Sequence, residues 1–120
     1  MPQVIALVPS SDEQSQPGSP AAPWRVGAYV AGELAGFGQA YDGTPDGYVE
    51  TTLFVHVEWR RQGIGTLLLR AAMDWARLRQ ASALRLVCAR TDWPMRRLAE
   101  KFQARLNLAF GQIAADIALG

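Results

Sequence analysis

The fold is decided by residues 53–70, which read LFVHVEWRRQGIGTLLLR. The first of these residues are β-branched and aromatic, which favours a strand. The last residues begin a longer segment in which Leu67, Leu68, Ala71, Ala72 and Trp75 recur at helical spacing, which favours a helix. The joint is basic and holds glycines at positions 63 and 65. The chain is therefore predicted to leave a strand, turn tightly and enter a helix within a few residues.

The predicted start of this helix is an anion site. The first amides of a helix have no internal acceptor, and the helix dipole adds roughly half a positive charge at that end. Gly63 and Gly65 remove the Cβ atoms that would hold a phosphate away from the backbone, so the amides of Gln62 to Thr66 can all point at one bound anion. Arg60 and Arg61 add positive charge at the rim.

The spacing excludes the two commonest phosphate loops. A P-loop needs GxxxxGK followed by Ser or Thr, and a dinucleotide fingerprint needs GxGxxG. Arg60 to Gly65 reads RxxGxG instead, after Leu53 and Val55 in an apolar strand. This pattern resembles the acetyl-CoA pyrophosphate loop of the GNAT family of N-acetyltransferases, which is [RQ]xxGx[GA]. An unrelated nucleotide-binding α/β domain remains as the alternative interpretation.

Composition sets limits on the class of protein. The chain has 120 residues, 49% apolar and 19% charged, which is typical of one globular domain. No apolar run approaches the roughly 20 residues of a membrane span. The net charge of +1 argues against a dedicated nucleic-acid surface. One cysteine and one histidine exclude an intramolecular disulfide and disfavour a metal site, so we expect no metal and a reducing, cytoplasmic setting.

The chain is predicted to have two parts, residues 1–23 and residues 24–120. Within the first, the apolar run from Val4 to Val8 is a strand or a loosely attached arm. Ser10 to Pro23 contains no large apolar side chain and cannot bury enough surface to offset its ordering entropy, so we predict a flexible linker. Residues 24–120 form the folded domain.

The domain is predicted to be of the α/β class, with a mixed (α+β) sheet. Its first predicted elements are a hairpin of Trp24–Val30 and Leu34–Tyr41, a strand at Tyr48–Val57, a helix at Gly65–Arg79 and a strand at Ala83–Ala89. A second helix, capped by Thr91 or Asp92, and a closing hairpin that turns at Gly111 follow. In this hairpin Leu106, Leu108 and Phe110 are predicted to face one way. The unit from residue 48 to residue 89 should be right-handed, with parallel strands. This order is similar to the GNAT fold without its usual first two helices, whose place in the sequence the linker takes.

The resemblance implies a cofactor and the residues that hold it. In the family, acetyl-CoA lies where the two central parallel strands splay apart, which here means between residues 48–57 and 84–89. The implied cofactor contacts are Phe54, Val55 and Val57 for pantetheine, Gln62, Gly63, Ile64, Gly65 and Thr66 for the pyrophosphate, Arg60 and Arg61 beside the phosphates, and Asp92 at the position of a cofactor-binding asparagine.

The implied reaction is acetyl transfer to a primary amine of a small molecule or peptide. It needs a base for the ammonium and an amide donor for the oxyanion, which the resemblance puts near Val55. Glu50 is the candidate base, and the alternative is that Glu50 pairs with a cross-strand arginine. His56 is a candidate proton relay or else a packed or surface residue. Cys88 is interpreted as a core residue rather than a nucleophile.

The sequence departs from the family pattern at two places. Ala99 stands where many members carry a tyrosine that protonates the leaving thiolate. Water or another tyrosine, such as Tyr29, Tyr41 or Tyr48, takes that role, or the chain is a CoA-binding but catalytically impaired sensor or interaction module. The missing helices predict an acceptor pocket that is open or completed by a second subunit, and hence a homodimer.

Overall fold

The computed structural model describes residues 5–9, 23–42 and 44–120. In this part of the chain a seven-stranded sheet carries two α-helices. The elements are β1 (Ile5–Pro9), β2 (Trp24–Val30), β3 (Glu33–Tyr41), β4 (Val49–Val55), α1 (Ile64–Leu78), β5 (Ala83–Ala89), α2 (Trp93–Lys101), β6 (Arg105–Ala109) and β7 (Gln112–Ala118). A 3₁₀ turn at Val57–Trp59 joins β4 to α1.

The sheet is mixed, with the strand order β1-β2-β3-β4-β5-β7-β6. Its one parallel pair among the described strands is β4 with β5, and the pairing covers only Val49–Thr51 against Leu84–Leu86. Beyond Thr51 the two strands are no longer paired, so the sheet opens at this point. The predicted mixed α/β sheet with splayed central strands and a closing hairpin is confirmed.

The core lies on one face of the sheet, the face that carries both helices. Helix α1 packs on β2, β3, β4 and β5, while α2 packs on β5 and β7 and contacts α1. The largest fully buried side chains are Ile64, Leu68, Leu69, Leu84, Leu86, Val49 and Thr51. Each buried aliphatic side chain contributes about 1.5–3 kcal/mol of transfer free energy. This packing fixes the start of α1 against the end of β4.

The opposite face, which we call the open face, is defined by Phe37, Tyr41, Glu50, Thr52 and Phe54. These residues share one side of β3 and β4, because Phe37 pairs with Phe54 and Tyr41 with Glu50. The Phe37 and Phe54 rings stack at 5.3 Å and each residue is 42% exposed. None of the described helices covers this face.

Two predicted boundaries are wrong. The strand predicted to reach Val57 ends at Val55, and Val57–Trp59 coils into the 3₁₀ turn. Phe110 does not continue β6. It forms a two-residue hairpin turn with Gly111, with φ angles of 51° and 77°, and its side chain is fully exposed. Both errors arise because an alternating apolar pattern continues into residues that the backbone uses to turn.

The N-terminal apolar run forms a strand rather than a loose arm, because β1 pairs antiparallel with β2. The linker predicted from Ser10 to Pro23 lies outside the described residues, apart from Pro23. None of the helices in the described ranges is long and apolar enough to cross a membrane.

Candidate functional site

The connection from β4 to α1 turns through two left-handed residues. The amide of His56 still donates to the carbonyl of Ala35 at 2.8 Å, which holds the end of β4 against β3. Arg61 then adopts φ 65° and Gly63 adopts φ 82°. Gly63 is the N-cap of α1, so the helix begins at Ile64, one residue before the predicted start. A glycine suits this cap, because only glycine adopts positive φ without steric cost.

The start of α1 presents unpaired amides to the surface. The first internal hydrogen bond of the helix runs from the amide of Leu67 to the carbonyl of Gly63, at 3.1 Å. The amides of Ile64, Gly65 and Thr66 therefore precede the helical ladder. A Cβ atom on Gly63 would meet no heavy atom within 4 Å, so the space in front of the helix start is open. These amides are available to an anion.

Gly65 has a second role that the sequence does not reveal. A Cβ atom at this position would lie 3.2 Å from Cδ2 of Leu98 on α2 and 3.8 Å from Cγ2 of Val55. The missing side chain thus lets α2 pack closely against the start of α1. Gly63 keeps the approach to the amides open, whereas Gly65 also sets the spacing of the two helices.

A cavity of about 720 Å³ joins the helix start to the end of β4. Its volume is within the usual range for ligand pockets. It is lined by Leu53, Phe54, Val55, Val57, Trp59, Arg60, Arg61, Gly63, Ile64, Gly65, Thr66, Asp92, Pro94, Met95, Arg97, Leu98 and Lys101. Four of these residues are basic and one is acidic, so the cavity favours a polyanion.

The main chain of β4 is also available at the cavity. Because the amide of His56 bonds to β3, strand alternation directs the peptide groups of Leu53 and Val55 to the opposite edge, where β5 has separated. The carbonyl of Val55 accepts from Nε of Arg60 at 3.5 Å, which is consistent with this direction. The separated strands therefore expose backbone groups of Leu53 and Val55 that a ligand can pair with.

All the predicted cofactor residues except Gln62 line this cavity. Asp92 has a structural role as well, since its Oδ1 accepts from the amide of Met95 at 3.2 Å and caps α2. Neither Glu50 nor His56 lines the cavity. His56 is half-buried, with its ring edge-on to Phe54 at 4.9 Å.

Glu50 is half-buried on the open face, three residues before Leu53 on β4. Its register neighbour on β5 is Arg85, the obvious partner for a structural ion pair. Arg85 instead bonds the carboxylate of Asp116 at 2.8 and 3.2 Å and that of Asp46 at 2.9 Å. Hydrogen bonding to Asp116 and then Asp46 raises the pKa of Arg85 further above its usual value. Within the described ranges the carboxylate of Glu50 has no ion-pair partner.

The residue aligned with the family tyrosine, Ala99, is buried. Ala99 is 1% exposed and packs in the core, so it does not reach the cavity. No tyrosine is among the described residues that line the cavity. Tyr48 lies under the guanidinium of Arg85, 4.9 Å from its ring centre. Tyr41 lies on the open face, beside Glu50 across the strand pair.

Cys88 is a core residue, as its apolar surroundings in β5 indicated. Burial raises the pKa of the Cys88 thiol, and the negative charge of Asp92 adds to the rise, while Arg96 opposes it. A raised pKa makes the thiol a poorer nucleophile than an unperturbed cysteine, which agrees with a core role. No group of three or more His, Cys, Asp and Glu side chains in the described part of the chain is arranged to hold a metal.

Sequence reasoning missed seven residues of the cavity: Leu53, Trp59, Pro94, Met95, Arg97, Leu98 and Lys101. Most lie on α2 and reach the cavity only because α2 packs on Gly65. The sequence holds one indication of this wall: Arg97 and Lys101 are four residues apart, so they place two positive charges on one face of α2.

The mixed sheet opens beside a basic, glycine-capped helix start, an arrangement that suits an extended anion. The sequence model of the acetyltransferase (GNAT) family matches residues 6–103. The chain therefore belongs to the GNAT acetyltransferase family, and the predicted resemblance is confirmed. No curated protein matches the chain significantly in a sequence search.

Solved structures share the fold at low sequence identity. The IAA acetyltransferase from Bacillus cereus has a TM-score of 0.76 and 15% identity, with 96% of this chain and 99% of that chain covered. A GNAT family acetyltransferase from Elizabethkingia anophelis with acetyl-CoA bound has a TM-score of 0.71 and 15% identity, with 95% and 97% covered. The yncA protein from Salmonella typhimurium, solved with its cofactor acetyl-CoA, has a TM-score of 0.68 and 19% identity, with 81% of this chain covered. This chain spans only 65% of the yncA protein.

Proposed function

We propose that the protein is an acetyl-CoA-dependent N-acetyltransferase that acts on a primary amine of a small molecule or peptide. The observation that carries this proposal is a continuous cavity that connects the amides at the start of α1 with the opening between β4 and β5. One end of this cavity suits phosphates, and the other suits an extended amide chain that pairs with a strand edge.

The residues present fit this cofactor. The amides of Ile64, Gly65 and Thr66 would bind the diphosphate, with Arg60 and Arg61 beside it. The peptide groups of Leu53 and Val55 would orient the pantetheine, which refines the predicted contacts because the main chain of Phe54 faces β3 instead. When bound, acetyl-CoA supplies an acetyl thioester as the activated acyl donor.

The chain itself supplies the groups that assist transfer. The amide of Val55 would donate to the oxygen that gains negative charge, and this interaction strengthens as the charge develops. Glu50 would accept the proton of the ammonium. It lies about 17 Å along the strand from Val55, by the usual rise per residue, so we infer that the proton passes through a chain of water molecules. The open face gives the amine its approach, because no described helix covers it.

The test is Glu50→Gln, which keeps the side-chain size and removes the base. We expect kcat to fall by about 10²- to 10⁴-fold, while the Kd for acetyl-CoA is unchanged because Glu50 lies outside the cavity. The matched control is Glu33→Gln, an exposed carboxylate at the start of β3. A Glu50→Gln enzyme with the kcat of the control would refute the assignment.

A second candidate is a CoA-binding protein that is catalytically impaired and acts as a sensor or interaction module. The buried Ala99 and the lack of a tyrosine among the described cavity residues favour it. Calorimetry with acetyl-CoA and a thiol-release assay with a panel of amines separate the two candidates. Binding without turnover of any amine supports the second.

We also propose that the chain is a homodimer in a reducing, cytoplasmic compartment. The open face exposes Phe37, Phe54 and Tyr41 together, and such patches commonly mark interaction sites. A second subunit on this face would complete the wall of the acceptor pocket. Light scattering should then give twice the mass of the chain, and Phe37→Asp should shift the protein to monomer. A wild-type monomer at working concentration would contradict the dimer.

A further inference from the structure

Helix α2 places two basic side chains on the wall of the cavity. Arg97 and Lys101 both line it, and they are four residues apart on one helical face. They lie on either side of Leu98, the residue that packs against Gly65 at the start of α1. The two cations therefore line the same cavity as the glycine turn.

The neighbouring Arg96, in contrast, does not line the cavity. Its guanidinium lies over the ring of Trp93 at 4.4 Å, and its Nη1 donates to the carbonyl of Arg90 at 3.0 Å. Arg96 therefore has a structural use outside the cavity, whereas Arg97 and Lys101 are exposed and face into it.

In the described ranges, Arg97 and Lys101 take part in no ion pair. Asp92, the one carboxylate among the described residues that line the cavity, is engaged as the cap of α2. The favourable field at the C-terminus of a helix explains a cation at Lys101, but it does not explain Arg97 in the middle of α2. The pair carries positive charge that the protein itself does not neutralise.

The proposed cofactor has two separate anionic groups. Its diphosphate fits the amides at the start of α1, with Arg60 and Arg61 at the rim. Its second group is a phosphate monoester at the 3′ position of the ribose, with a charge near −2 at neutral pH. A dianion of this kind is best held by two cations, and arginine adds paired hydrogen bonds to phosphate oxygens.

We propose that Arg97 and Lys101 form a second anion site that binds this 3′-phosphate. The site rests on the proposed function, and it makes the protein selective for CoA over 3′-dephospho-CoA. A cavity with only the glycine turn would accept both molecules, because they share the diphosphate and the pantetheine.

The experiment is calorimetric titration of the whole chain with CoA and with 3′-dephospho-CoA. Neither ligand carries an acetyl group, so binding is measured without turnover. We expect the wild type to prefer CoA by about tenfold or more, since two charge-assisted contacts that are exposed contribute roughly 1.4 kcal/mol or more together. In the double variant Arg97→Gln/Lys101→Gln the preference should fall to within about twofold. Its affinity for 3′-dephospho-CoA should stay at the wild-type value.

The control is Arg70→Gln/Arg105→Gln, which removes the same charge from exposed positions outside the cavity and should keep the preference. Thermal melts verify that both double variants fold. Equal wild-type affinity for the two ligands, or a preference that survives in Arg97→Gln/Lys101→Gln, would overturn the second site while leaving the proposed function intact. Equal loss of affinity for both ligands would overturn it too, because the pair would then hold the diphosphate. A wild type that binds neither ligand would overturn both proposals.

Discussion

Replacing Thr66 with proline tests the amides at the start of α1 directly. Thr66 is the third residue of the helix, and its amide precedes the first internal hydrogen bond, from Leu67 to Gly63. Proline at this position therefore removes a ligand amide without removing a helical bond. The preceding residue is Gly65, whose lack of a Cβ atom relieves the usual clash before proline.

The magnitude follows from the energy of one hydrogen bond to a charged group, about 1.5–3 kcal/mol. At about 1.4 kcal/mol per tenfold change, the Kd for acetyl-CoA should rise by about 10- to 150-fold in Thr66→Pro. Thr66→Ala is the control, because it removes the same side chain and keeps the amide. Its Kd should stay within about threefold of the wild-type value, the change allowed for a lost side-chain contact.

Isothermal titration calorimetry measures both variants, and unfolding in urea without ligand measures any cost to the fold. A Thr66→Pro protein that is folded and binds acetyl-CoA as tightly as Thr66→Ala would refute the reasoning. The phosphates would then lie away from the helix start.

Three other predictions concern the framework and the ligand class. Arg85→Gln leaves the side chain of Asp116, which is 17% exposed, without its main partner, and urea denaturation should show a loss of about 1–3 kcal/mol in the free energy of unfolding. An unchanged free energy of unfolding would show that the ion pairs of Arg85 do not stabilise the fold. The pKa of Asp46 is lowered by hydrogen bonds from Thr44, the amide of Tyr48 and Arg85, so the Asp46 carboxylate stabilises the fold at neutral pH and loses this effect as the pH falls below about 4. Wild type and Asp46→Asn should therefore converge in stability in acid, and a stability difference that widens in acid would contradict the lowered pKa. Acetyl-CoA should raise the Tm and adenine nucleotides should raise it less; stabilisation by nucleotides alone would show that the cavity does not hold the pantetheine arm.

The loop and the sheet were predictable because local chemistry dictates them. The RxxGxG spacing predicts the glycine turn and a helix start within one residue of Ile64, and the apolar run at Ala83–Ala89 predicts β5 with its observed bounds. Both features depend on backbone preferences and hydrophobic periodicity, which sequence carries directly.

The missed features depend on tertiary contacts. The cavity wall formed by Arg97 and Lys101 exists because α2 packs on Gly65. Their helical spacing puts both cations on one face of α2, but it does not indicate that this face meets the cavity. The left-handed conformation of Phe110 could not be predicted either, because a bulky residue at φ 51° is rare. Among the described residues Glu50 has no ion-pair partner because Arg85 is engaged by Asp116 and Asp46, which both lie far from Arg85 in the sequence.

A crystal structure of the chain with acetyl-CoA tests the central claim most directly. We predict diphosphate oxygens within hydrogen-bond distance of the amides of Ile64 to Thr66, and the pantetheine paired with Leu53 and Val55 where β5 has separated from β4. Electron density for the diphosphate at any other part of the surface, with those amides bound to water, would contradict it.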